Sequence, residues 1–187
     1  GVLLFGDVSG KGVAASLLMS HLHAIFRSLA AEVPAVSDMV ARANRIFCNA
    51  TTGNVYATLV CGLLEQDGRM EIVNAGHPSA LVLGSRGLET VAGTGLPVGL
   101  FCGGDYASAS RKLDRGDVLL LYTDGLSEAR GTDGSEFGAQ RVAAVLERSR
   151  GASAQGVVDA VLAELAVFRQ CRALDDDVTV MAVRRVG

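Results

Sequence analysis

The sequence predicts an α+β fold, and three features of its patterning carry that expectation. Apolar, β-rich runs cluster in the middle of the chain, with single runs of the same kind at each end. Segments with apolar residues at helical spacing come in pairs on either side of the central cluster. Runs of each element type, in place of strict alternation, favour layered packing over a doubly wound parallel sheet. Several strands with helix pairs on both sides would form a sheet sandwich covered by helices. At 187 residues the chain reads as one domain, 1–187, large enough for a substantial core.

Residues 2–6 are apolar and β-rich, a short buried strand. Ser9 can cap a helix over about 11–31, in which Val13, Leu17, Leu18, Ala24, Ile25 and Leu29 recur at helical spacing. Pro34 breaks that pattern. A second helix runs from Ser37, with Met39, Val40, Ala43, Ile46, Phe47 and Ala50 on one face, and Thr52-Gly53-Asn54 ends it. Residues 55–64 and 69–75 read as strands joined across Gln66-Asp67-Gly68. Leu81-Val82-Leu83 adds a short strand, 93–99 is loop, and further strands fall near 106–113 and 117–123. Helices are predicted over about 138–148 and 154–169. Residues 178–185 form the last strand, and apolar side chains on both its faces predict a central position.

Composition narrows the class. Hydrophobic residues make up 49% and mean hydropathy is +0.33, apolar but globular. No run approaches the roughly 18 uninterrupted apolar residues of a membrane helix. Gly1 opens straight into a strand pattern without a visible signal peptide, and the missing initiator Met points to a piece of a longer chain. A net charge of −3 argues against a nucleic-acid surface. The arginines near 148–150, 169–172 and 184–185 read as solvated faces. Cys48, Cys61, Cys102 and Cys171 show no C-x-x-C spacing, so free buried thiols in a reducing cytoplasm are preferred to disulfides or zinc.

Three aspartates stand where a hydrophobic strand meets a glycine or another acid. Asp7 and Asp124 close a strand, and Asp176, within Asp175-Asp176-Asp177, opens one. With the last strand antiparallel, all three carboxylates would meet at one sheet edge and repel one another unless protons or cations neutralise them. Oxygen-only ligands favour Mg²⁺ or Mn²⁺. Asp124-Gly125 alone would read as a turn. The segment Gly6–Gly12 is no phosphate-binding P-loop, because Phe5 and Gly12 stand where that motif needs Gly and Ser or Thr. His77 lies in a turn, where a structural hydrogen bond is preferred to catalysis; His21 and His23, two apart on a helix, do not share a face. No G-x-S-x-G occurs, so a metal-activated water fits better than a covalent protein nucleophile.

The ordered set Gly6-Asp7-Val8-Ser9-Gly10-Lys11-Gly12, Asn74-Ala75-Gly76-His77-Pro78, Gly95-Leu96-Pro97-Val98-Gly99, Tyr122-Thr123-Asp124-Gly125-Leu126-Ser127-Glu128-Ala129, Phe137-Gly138 and Asp176-Asp177-Val178-Thr179 resembles the metal-dependent PPM-type protein serine/threonine phosphatases, in their bacterial SpoIIE/RsbU-like branch. The resemblance covers essentially the whole chain. It implies a four-layer αββα sandwich of two antiparallel sheets flanked by helix pairs, here without its N-terminal strand or strands. It implies a two-metal centre for Mg²⁺ or Mn²⁺ in which Asp7 bridges both ions, the Val8 carbonyl binds one, and Asp124 and Asp176 hold the other. Cations about 3.5 to 4 Å apart would activate a shared water for in-line attack on phosphorus. The implied substrate is a phosphoserine or phosphothreonine on an anti-sigma-factor antagonist, in cytoplasmic partner switching. The helices over 11–50 would couple an upstream sensor or a homodimer interface to the metals.

Two departures from the family pattern stand out. A further metal-binding aspartate in an upstream Gly-Gly-Asp would precede Gly1, and Ser9 stands where eukaryotic relatives carry a histidine acid. The rival expectation is a catalytically inactive phosphoprotein-binding module with the same fold.

Overall fold

The computed structural model describes residues 1–51, 55–170 and 172–186, so Thr52-Gly53-Asn54, Cys171 and Gly187 lie outside the described residues. In chain order the elements are β1 (Val2–Val8), α1 (Gly12–Leu29), α2 (Val36–Ala50), β2 (Ala57–Leu64), β3 (Arg69–Ala75), β4 (Ala80–Gly84), β5 (Gly87–Val91), β6 (Ala109–Lys112), β7 (Val118–Tyr122), α3 (Asp124–Ser127), α4 (Ala139–Arg148), α5 (Ala154–Arg169) and β8 (Val180–Arg184). They divide into two compact units. One comprises Gly1–His77 with Ala92–Lys112, the other Pro78–Val91 with Leu113–Gly187. Each unit holds one antiparallel sheet and a helix pair, which is the α+β class read from the sequence.

The first unit's sheet has the order β1-β2-β3-β6. The β2–β3 hairpin turns across 65–68 as its Asp-Gly signal requires, with Gly68 at φ 90°. Helices α1 and α2 pack their apolar stripes on this sheet, burying Phe26, Leu29, Val40 and Phe47 with Leu59 and Val73. The expected stripe of α1 is only half used. Leu22, Ile25, Phe26 and Leu29 are buried, whereas Val13 and Leu17 are 78% and 67% exposed. Ser9 does not cap α1. Lys11 is the N-cap, and the Ser9 hydroxyl instead accepts a hydrogen bond from the Tyr56 amide at 3.0 Å.

The cysteines depart from expectation. Cys48, in the last turn of α2, is disulfide-bonded to Cys102, 54 residues away, with Cα atoms 5.5 Å apart. Spacing gave no sign of this pair because the tertiary fold creates it. Buried Asn44, one turn earlier on α2, donates to the Phe101 carbonyl and accepts from the Gly99 amide, both at 2.8 Å, and so seats the 99–102 loop beside Cys48. Cys61 is free and buried as expected, and burial pushes its thiol up to about 12. By loop-closure entropy the disulfide contributes about 4 kcal/mol. Differential scanning calorimetry of the Cys48→Ala/Cys102→Ala double variant should therefore show a melting temperature lower by several degrees; an unchanged value would remove the bond from the fold's support.

The second unit's sheet has the order β5-β4-β7-β8. All five residues of β7 are buried, and Leu120 lies between Leu81 of β4 and Ala182 of β8. Helices α4 and α5 cover this sheet through Val142, Leu146, Val157, Val161 and Leu165. The Ser153 hydroxyl caps α5 by accepting from the Gly156 amide at 3.0 Å. Two expectations are corrected here. The apolar run at 81–83 is the first arm of a hairpin whose second strand, β5, was missed because its Glu89 and Thr90 interrupt a short apolar pattern. The last strand is an edge strand among the described residues, not a central one. Its apolar residues are half-buried, with Val180 and Ala182 packed on the helix-covered core. Among the described residues, no helix is long and apolar enough to cross a membrane.

Candidate metal centre

The buried strand β7 ends at Tyr122 and delivers Thr123 and Asp124 to the sheet edge. There the chain turns at once into α3, closed by the Glu128 amide donating to the Asp124 carbonyl at 2.8 Å. Because β8 runs antiparallel to β7, with Val180 opposite Tyr122, the segment leading into β8 returns to the same edge. Thr123 holds the two segments in register. Its amide donates to the Thr179 carbonyl at 3.1 Å, and its hydroxyl accepts from the Thr179 amide at 3.0 Å. The same hydroxyl lies 3.4 Å from the Asp177 carbonyl, to which it donates. Asp124 and Asp176, both exposed, each accept a backbone amide on Oδ1, from Gly125 at 2.9 Å and from Asp177 at 3.0 Å.

Gly125 is required by this approach. A Cβ there would stand 2.2 Å from the Asp177 carbonyl oxygen. Asp124-Gly125 is therefore not a simple turn but the point at which the two acidic segments pack. Gly125→Ala should push the 175–177 segment away from Asp124 and weaken Mn²⁺ binding by roughly 10-fold or more, as mispositioned ligands do. Isothermal titration calorimetry with wild-type Mn²⁺ affinity in that variant would show the contact to be dispensable.

Asp124 and Asp176 line one cleft of about 400 Å³ with Glu128, Glu136 and Asp175. Arg130 and Arg172 line it too, so Arg172, solvent-exposed as the sequence suggested, also faces the cleft. Asp7 belongs to the other unit. It lies on β1 opposite Thr58, exposed, and precedes the buried Val8. The expected meeting of three carboxylates at one sheet edge is thus corrected: β1 belongs to a different sheet from β7 and β8. His77 is built into its own sheet. It is 5% exposed, with Nδ1 2.9 Å from the Thr58 hydroxyl, and its ring packs edge-on against Phe5 at 5.3 Å.

Among the described residues, no three His, Cys, Asp or Glu side chains group closely enough to hold a metal ion. The donor chemistry at the Asp124–Asp176 edge fits a hard divalent cation, since among the described residues every charged ligand atom is a carboxylate oxygen and no His or Cys lines the cleft. Sequence reasoning missed Thr123, Glu136 and the two arginines as members of this edge. Thr123 was within reach, because it sits inside the motif that drew attention to Asp124.

Two antiparallel sheets with helix pairs and an acidic sheet edge define the PP2C-type fold class. It is shared with the SiaA-PP2C domain of Pseudomonas aeruginosa, at TM-score 0.86 and 19% identity over 98% of this chain and 74% of that one. The family model for stage II sporulation protein E (SpoIIE) matches residues 2–186, and the chain belongs to that family. It is 27% identical to Protein IcfG of Synechocystis over 98% of this chain and 33% of the relative. It is 24% identical to the phosphoserine phosphatase RsbU of Bacillus subtilis over 98% of this chain and 55% of the relative. The chain therefore spans from about a third to about half the length of these relatives. The crystal structure of the RsbU and RsbW domains of Rv1364c from Mycobacterium tuberculosis aligns at TM-score 0.79 and 29% identity, covering 99% of this chain and 51% of that one. The catalytic domain of PstP, solved in complex with two manganese ions, shares the fold at TM-score 0.70 and 16% identity over 100% of this chain and 88% of that one.

Proposed function

We propose that residues 1–187 act as one metal-dependent protein serine/threonine phosphatase domain. The observation that carries this reading is the Thr123 staple, which fixes Asp124 and Asp176 on one cleft. Asp124 and Asp176 would hold a divalent cation there, and Asp7 and the Val8 carbonyl would serve as further ligands, for two ions of Mg²⁺ or Mn²⁺ in all. Bound by these residues, such a pair would activate a water and neutralise phosphoryl oxygens. The chain's own residues would position the ligands, and the departing serine would take its proton from water. Ser9 has no acidity for that task at neutral pH.

The substrate would be a phosphoserine or phosphothreonine on an anti-sigma-factor antagonist in the cytoplasm, under control of an upstream sensor and of homodimerisation. The support is family membership and the RsbU relative's activity as a phosphoserine phosphatase. Hydrolysis of a phosphoserine peptide, with Mn²⁺ titrated and EDTA as control, tests the reading. Mn²⁺-dependent turnover by the intact protein supports it. Metal binding and phosphopeptide binding without turnover would replace it with a phosphoprotein-binding module.

A further inference from the structure

We propose that Arg130 and Arg172 bind the phosphoryl group of the substrate as a guanidinium pair on the wall of the acidic cleft, an inference that rests on the phosphatase reading. Each arginine sits on the chain that carries one of the two cleft aspartates. Arg130 follows α3, which starts at Asp124, and Arg172 leads into the Asp175-Asp176-Asp177 segment. The backbone beneath Arg130 is fixed. Arg130 bridges Glu136 as an isolated antiparallel pair, and the Phe137 amide donates to the Ala129 carbonyl at 2.8 Å. Arg172 reaches across to the same loop, with Nη1 3.5 Å from the Gly131 carbonyl.

Glu136 and Asp175 do not engage the two guanidiniums closely. Arg130 Nη2 lies 3.9 Å from Glu136 and Arg172 Nη2 3.7 Å from Asp175, both beyond hydrogen-bond length. By contrast, Arg69–Glu65 and Arg148–Glu164 close to 2.9 Å. The cleft arginines are also 55% and 40% exposed, so exchanging these loose pairs for a phosphoryl group gives up little. A guanidinium fork matches two phosphoryl oxygens, which a lysine ammonium cannot do.

Charge sets the condition for binding. Among the described residues five carboxylates line the cleft against two guanidiniums, so a phosphoryl dianion meets net repulsion until divalent cations are bound. The competing role for the arginines is to offset that carboxylate charge without touching substrate. The two roles separate by measurement, because an offsetting arginine changes metal affinity and a phosphate ligand changes phosphate affinity at saturating metal.

The test uses the intact protein with Arg130→Ala, Arg172→Ala and the corresponding Lys variants, each checked for fold by circular dichroism. Inorganic phosphate is titrated by calorimetry at saturating Mn²⁺, Mn²⁺ affinity is measured separately, and KM is determined on a phosphoserine peptide. Each Ala variant should raise the phosphate Kd and the KM by about 10-fold or more, with Lys restoring only part and Mn²⁺ affinity unchanged. Phosphate affinity within about twofold of wild type would overturn the proposal, as would a fall confined to Mn²⁺ affinity. Wild-type turnover with KM unmoved in the variants would leave the phosphatase reading standing and sink this one. Phosphate binding without turnover, lost in the Ala variants, would uphold the arginine pair and sink the phosphatase. Wild-type protein that neither binds phosphate nor turns over would overturn both.

Discussion

Asp124→Asn should leave the protein folded and reduce Mn²⁺-dependent hydrolysis of a phosphoserine peptide by roughly 100-fold or more, beyond the usual effect of losing a residue that merely orients a ligand. Asparagine has the size of aspartate, and its Oδ1 can still accept the Gly125 amide, so the packing at the start of α3 persists. The negative charge is what disappears, together with one oxygen that a hard cation needs. Because Asp124 is exposed at the sheet edge, no cavity forms and no buried donor is orphaned. The discriminating pair of measurements is the Mn²⁺ dependence of turnover and the thermal melt on one preparation. Full activity in the variant would defeat the assignment of Asp124 as a metal ligand. A collapsed melt would mean that its structural role had been underestimated.

Leu120→Asp should instead unfold the protein. Leu120 is fully buried at the middle of β7, with strands on both sides and the α4–α5 core against it. A carboxylate there has no cation within its own strand and must either stay charged in an apolar layer or take up a proton. The cost exceeds about 4 to 5 kcal/mol, comparable to the whole stability of a domain of this size. Leu162→Asp is the matched control, since Leu162 on α5 is 42% exposed and should tolerate the change. Circular dichroism of the two variants gives the answer. A cooperative melt of Leu120→Asp near the wild-type temperature would mean that β7 is not the strand described.

Which parts of this molecule were legible in its sequence follows from the range over which each is determined. Helices α1, α2, α4 and α5 and the β2–β3 hairpin were readable because apolar periodicity and an Asp-Gly turn are local signals. Asp124 was readable for the same reason, as a carboxylate at the end of an unbroken apolar strand. What escaped depends on distant partners. The edge position of β8 is set by which strands β7 accepts, and the Cys48–Cys102 pair by how Asn44 seats a loop more than fifty residues on. The exposed half of α1 shows the converse limit, because an apolar stripe at Val13 and Leu17 says what a helix can bury and not whether anything covers it. The place of the exposed Arg172 on the cleft was not legible, for want of a contact that sequence cannot supply, its reach to the loop after Arg130.

The division of the chain into Gly1–His77 with Ala92–Lys112, and Pro78–Val91 with Leu113–Gly187, has a consequence for how the protein is made. Neither unit is a continuous stretch of polypeptide, so no single cut releases either of them whole. The β4–β5 hairpin leaves the ribosome before the strand that flanks it, since Leu83 pairs with Val118, which is synthesised 35 residues later. At ordinary translation rates that gap lasts roughly 2 to 7 seconds. For that interval the nascent hairpin carries one side of β4 without its β7 ladder, an unpaired strand edge of the kind that invites association with another chain.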